Sequence, residues 1–105
     1  MAYVRTFSFV VPPERAGELQ AGHNLYMATV SGTQIVAQNT RGYLRGGVWT
    51  RARTDGSTRV IIYTQWDGVS DMQKYIDTPM IRDYEADVAR YHRDVTTEVY
   101  EAVTG

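Results

Sequence analysis

Three observations predict an α+β fold of the ferredoxin-like split βαβ type. Two β-rich runs, RGYLRGGVWTRAR (41–53) and RVIIYTQW (59–66), flank an Asp55-Gly56 turn, the pattern of a hairpin. Ile81, Tyr84, Val88, Tyr91 and Val95 then recur in steps of three and four, one face of an amphipathic helix. Further β-rich segments stand at 2–11 and 96–103, so the order reads β-α-β-β-α-β. That order gives a four-stranded antiparallel sheet with both helices on one face.

Each element has its local reason. AYVRTFSFVV (2–11) alternates aromatic or β-branched residues with others and ends at Pro12-Pro13. PERAGELQ (13–20) reads as a short helical turn with acidic residues early. The segment 24–39 reads as a helix with Asn24 as its cap, although Gly22 and Gly32 interrupt the periodicity nearby. After Trp66, Ser70 and Gln73 have the spacing of a capping box, which predicts a helix from about residue 71. Thr78-Pro79 is a second start signal, a cap followed by proline at the first helical position. TTEVYEAV (96–103) closes the chain as a strand.

With 105 residues the chain has the length of a single domain, 1–105. The net charge is −1 and the eleven basic residues are scattered along the sequence, which argues against a nucleic-acid partner. No apolar stretch is long enough to span a bilayer and no signal-peptide pattern opens the sequence, so no membrane partner and a cytoplasmic location are expected. Cysteine is absent, which removes disulfides, thiolate nucleophiles and cysteine metal ligands together. His23 and His92 are the two histidines, with no HxH or HExxH spacing, so no metal site is expected.

The strand parities carry a further expectation. Val60, Ile62, Thr64 and Trp66 share one face of their strand, and Ile61, Tyr63 and Gln65 the other; Tyr3, Arg5, Phe7 and Phe9 oppose Val4, Thr6, Ser8 and Val10. A sheet with one wet face alternates apolar and charged residues. Here neither parity is charged enough to be wet. The chain's own helices cover one face, so a second subunit, a homodimer partner, is expected on the other, with Tyr63 on the dimer face.

The strand YTQWD (63–67), followed by a helix and the restart at Pro79, resembles the antibiotic biosynthesis monooxygenase family. The resemblance covers most of the chain and weakens over 21–40. It implies a dimeric α/β barrel, with a pocket in each subunit between the sheet and its helices. Some members oxidise aromatic polyketides such as anthrones without a cofactor, others bind and degrade haem, and relatives on the same barrel cyclise polyketides without oxygen. The anthrone type places an asparagine four residues before the strand-end tryptophan, where this chain has Ile62. The haem-degrading branch has a first-strand asparagine and a histidine early in the second helix, and neither is present here.

The function so implied is a small-molecule enzyme of secondary metabolism, a cofactor-independent monooxygenase on an aromatic or polyketide-like substrate. A cyclase or isomerase on the same fold and a non-catalytic dimeric binding protein are the alternatives. Cofactor-free oxygenation needs substrate deprotonation, stabilisation of the resulting enolate and a dry cavity. His23 is the candidate base, because an imidazole with a pKa near ~6.5 accepts a proton at neutral pH. The alternative is an exposed loop histidine. Trp66 matches the family tryptophan and either walls the pocket, donating one hydrogen bond, or plugs the core. Arg5 and Arg45 are candidate enolate or phenolate stabilisers, or else structural partners of Glu98 and Glu101. Asn24, Tyr26, Trp49, Ile62, Thr64 and Tyr84 complete the expected substrate-binding set. His92 is explained by the helix dipole, and Met72 and Met80 by core packing.

Overall fold

Nine residues of mostly β-branched and aromatic character form β1 (Tyr3–Val11), a central strand in the computed structural model. The structure describes residues 2–15 and 25–103, with the side chains of 25–31 excepted. Pro13–Arg15 makes one 3-10 turn after β1. There follow α1 (Leu25–Gln38), β2 (Tyr43–Ala52), β3 (Thr58–Trp66), α2 (Val69–Ile76), α3 (Pro79–Tyr91) and β4 (Arg93–Glu101). The sheet order is β2-β3-β1-β4 and every pairing is antiparallel. This is the split βαβ arrangement that the sequence predicts.

Register decides which side chains meet the helices. Phe7 lies opposite Ile62 and Phe9 opposite Val60. These four, with Val11, pack against Tyr84 and Val88 of α3 in one buried cluster. A second cluster joins Trp66 of β3 to Ala37 of α1, Met72 and Tyr75 of α2, and Ile81 of α3. All three helices therefore lie on one face of the sheet. The other face carries Val4, Thr6, Ser8 and Val10 of β1 with Ile61, Tyr63 and Gln65 of β3. Trp49, opposite Ile61, stacks on Tyr63 at 4.5 Å between ring centroids and is 59% exposed. An exposed tryptophan on a sheet face is the kind of apolar surface that marks a contact site.

Several boundaries depart from the sequence reading. The expected capping box does not form: α2 begins at Val69 with Gly68 as an extended N-cap. Gln73 instead hydrogen-bonds Asp77 at 2.9 Å, one turn along. Thr78 does cap α3 with Pro79 next, but its hydroxyl donates back to the Lys74 carbonyl. The α3 stripe buries Ile81, Tyr84 and Val88, whereas Tyr91 is exposed and Val95 belongs to β4. β4 starts three residues before the expected position, through Asp94 in the left-handed region (φ 54°). Met80 is largely exposed. His92, as expected at a helix end, caps α3 and places Nδ1 3.2 Å from the Val88 carbonyl. No helix among the described residues is long and apolar enough to cross a membrane.

Candidate functional site between sheet and helices

A strand that alternates Arg5, Phe7 and Phe9 on its helix-facing side has one charged residue among aromatics. That charge must be paired where water is excluded. The structure pairs it with Glu85 of α3. The guanidinium donates through both Nη1 and Nη2 to the two carboxylate oxygens at 2.7 Å each, the strong bidentate geometry. The Arg5 side chain is 6% exposed and that of Glu85 19%. Arg5 Nε is buried and has no hydrogen-bond partner among the described residues. The partner expected from sequence was Glu98 or Glu101. In the register, however, Glu98 lies opposite Thr6, on the outer face, and Glu101 opposite Tyr3.

Around this pair the polar side chains gather into one island. Thr64 lies directly opposite Arg5, and Gly46 opposite Thr64. That row separates the two apolar clusters, with Phe7 and Ile62 on one side and Trp66 on the other. Gly46 is the place in the row where neighbouring groups pack closest against the strand. A methyl group there would meet Gln34 Oε1 at 2.9 Å and the Tyr43 hydroxyl at 3.1 Å, so its absence lets α1 and Tyr43 come close to the sheet. Thr33 of α1, 2% exposed, hydrogen-bonds the Tyr75 oxygen. Burial pushes the Tyr75 hydroxyl up to about 12; Glu85 adds to the rise, and Arg5 and the Thr33 hydrogen bond oppose it. At neutral pH Tyr75 is therefore a protonated phenol.

Trp66 is fully buried and its indole N–H donates to Thr64 Oγ1 at 2.8 Å. Tyr43 meets it edge-on at 5.8 Å and Tyr75 at 5.2 Å. The indole is thus a core plug whose one polar atom is satisfied within its own strand, so the N–H is not presented to a ligand. Ile62 and Thr64 face the helices, Tyr84 of α3 faces the sheet, and all three are buried. Arg45 and Trp49 do not line this space, because their strand positions put them opposite Gln65 and Ile61, on the outer face. Both are exposed. His23 and Asn24 lie outside the described residues, as does the side chain of Tyr26.

Glu85 and Tyr75 were missed from sequence. Glu85 had a signal: it lies four residues after Ile81 and one after Tyr84, inside the apolar stripe, where a carboxylate needs a buried partner. Tyr75 had none beyond its place in a helix after the strand-end tryptophan. Among the described residues no three His, Asp or Glu side chains gather as a metal site.

The architecture has close structural counterparts. A candidate antibiotic biosynthesis monooxygenase from Deinococcus radiodurans superposes over 98% of this chain and 94% of its own, with a TM-score of 0.74 and 15% identity. This chain has the antibiotic biosynthesis monooxygenase fold. A second candidate antibiotic biosynthesis monooxygenase, from Nitrosomonas europaea, matches over 97% and 90% with a TM-score of 0.74 and 13% identity. A variant of SnoaB, a cofactor-independent oxygenase from Streptomyces nogalater, matches over 99% and 95% with a TM-score of 0.67 and 13% identity. At these identities the likeness carries the monooxygenase fold and not the chemistry. No protein-family model matches the sequence. No curated protein matches it either.

Proposed function

We propose that the protein is a cofactor-independent monooxygenase acting on an aromatic or polyketide-like substrate bound between the sheet and its helices. The observation that carries this reading is the buried polar island of Arg5, Glu85, Thr64, Thr33 and Tyr75 between two apolar clusters. A dry site with fixed donors is what stabilisation of a developing enolate requires. Arg5 Nε–H and the Tyr75 hydroxyl are the proposed donors, and Glu85 holds the guanidinium plane in place. His23 is the proposed base. The neighbours of this fold support the same reaction class, SnoaB being a cofactor-independent oxygenase.

The chemistry balances without an external reductant. Loss of a proton from an activated CH2 gives the enolate, which passes electrons to dioxygen. One oxygen atom becomes the new carbonyl oxygen and the other leaves as water, with both hydrogens supplied by the CH2. A second copy of the chain is proposed to cover the outer sheet face, where Trp49, Tyr63 and Ile61 form an aromatic and apolar surface.

Buried Ile62 favours a second reading. It occupies the position at which anthrone-type relatives are expected to carry asparagine, and it is enclosed in the apolar cluster. A cyclase or isomerase would use the same donors and base without oxygen. Turnover of a panel of anthrones and linear poly-ketones by metal-free protein, in air and under anaerobic conditions, separates the two. Product formed only in air, with matching oxygen uptake, supports the monooxygenase. Equal product without oxygen assigns a cyclase or isomerase, and no turnover in either atmosphere leaves a binding protein.

A further inference from the structure

The hairpin sets three arginines that are near in sequence, Arg51, Arg53 and Arg59, beside one another. Arg51 of β2 lies directly opposite Arg59 of β3, on the outer face of the sheet. Arg59 is opposite Val10, and Val10 is in turn opposite Arg93 of β4, so one row across the sheet reads Arg51, Arg59, Val10, Arg93. Like charges directly opposite in a ladder are unfavourable, yet here they flank an open cleft of about 380 Å³ lined by Arg51, Ala52, Arg53, Thr54 and Arg59.

The local charges are not balanced. Asp55 is the carboxylate that pairs with Arg93, and it is committed twice. It accepts from the backbone N–H and the hydroxyl of Ser57, and it receives Arg93 at 3.3 Å. The Ser57 hydrogen bonds and the charges of Arg53 and Arg93 hold its carboxyl below the usual range. Among the described residues Arg59 reaches only the Ser8 hydroxyl, at 3.4 Å. Among the described residues the side chains of Arg51 and Arg53 make no ion pair or hydrogen bond. Of these arginines Arg93 is ion-paired, to Asp55, and among the described residues Arg51, Arg53 and Arg59 are not.

We propose that this cleft binds a small phosphate-class oxyanion, a phosphomonoester or pyrophosphate group. Three guanidinium groups from three backbone positions, two on facing strands and one at the hairpin, suit a multiply charged tetrahedral group that accepts on several sides. A single carboxylate would be satisfied by one fork. The cleft volume lies within the ~300–1,000 Å³ of small-molecule sites and exceeds the needs of a bare ion, which leaves room for the organic part of a phosphate ester. The site is on the opposite face of the sheet from the Arg5–Glu85 island and stands independently of the proposed oxygenation, but it borders the proposed subunit contact, two residues along the strands from Trp49 and Ile61.

The test is a titration of the whole protein with pyrophosphate, inorganic phosphate and succinate at constant ionic strength, read by calorimetry and by thermal melting. The variants are Arg51→Gln, Arg59→Gln and the double substitution. The expected result is saturable binding of pyrophosphate, tighter than of succinate. Arg51→Gln and Arg59→Gln should each weaken it about ten-fold or more, through the loss of one charge-assisted contact. In the absence of anion, Arg51→Gln should melt at or above the wild-type temperature, because it relieves the facing like charges. Equal response to succinate, a non-saturable rise shared by all variants, or preferential binding of an oligonucleotide would overturn the proposal. So would variants that change the oligomeric state without changing anion binding, since the arginines would then serve a subunit contact.

Discussion

Arg5 and Glu85 form a bidentate pair under the helices, and the cost of separating them is the clearest residue-scale consequence of the fold. Removing one partner leaves the other charge buried, which typically costs ~3–5 kcal/mol. Glu85→Gln and Arg5→Met should each destabilise by roughly that amount, less for Arg5→Met because the Glu85 it leaves unpaired is partly exposed. The Arg5→Met/Glu85→Leu double variant should recover most of the loss, and chemical denaturation of the four proteins checks the cycle. Tyr75 gives a second prediction at this scale. Its folded pKa, raised to about 12 from 10.0, means that the unfolded chain ionises first as pH rises. The contribution of Tyr75 to stability should therefore be fully present below pH 10 and be lost between 10 and about 12, by up to ~1.4 kcal/mol per pH unit. Tyr75→Phe should flatten that part of the stability profile. The buried aromatics, Ile62 and Thr64 could be assigned from strand parity. The partner of Arg5 could not, because choosing between α3 and β4 depends on how the helix sits over the sheet.

At the scale of elements, the β2–β3 hairpin rests on Gly56, whose φ of +87° is a left-handed conformation. A Cβ there would meet Pro13 only at ordinary contact distance, so the penalty of Gly56→Ala is conformational, about 1–2 kcal/mol. Gly42 also has positive φ, at +89°, and a Cβ would in addition run into the Asp71 side chain. Gly42→Ala should therefore destabilise more than Gly56→Ala, as equilibrium denaturation of both would show. The Asp55-Gly56 signal was legible because left-handed turns demand those residue types. The capping box at Ser70 and Gln73 was a false signal: the spacing was correct, but the chain entered α2 two residues earlier through Gly68. Sequence spacing shows which side-chain bonds are available, and the exit from Trp66 decides which form.

For the whole molecule, the sheet topology followed from periodicity and turn chemistry, whereas its two faces were only half legible. The helix-covered face is buried as parity implies. On the outer face Val10, Ser8 and Gln65 are buried while Trp49 is 59% exposed and β4 is open over most of its length. If a second copy covers this face, light scattering should give twice the chain mass, and Trp49→Glu should shift the protein to monomers by placing a charge in an apolar contact. Arg45 and Trp49 were expected near the substrate because strand membership was legible while their facing was not resolved. The register places both on the outer face. The central claim is that the Arg5 island activates a bound substrate toward dioxygen. The direct measurement is oxygen uptake by metal-free protein on a substrate it turns over, comparing wild type with the folded Arg5→Met/Glu85→Leu variant. One dioxygen should be consumed per product, with a loss of about 10²-fold or more in the variant, the usual effect of removing a transition-state donor. An unchanged rate in the variant, or product without oxygen consumption, would contradict it.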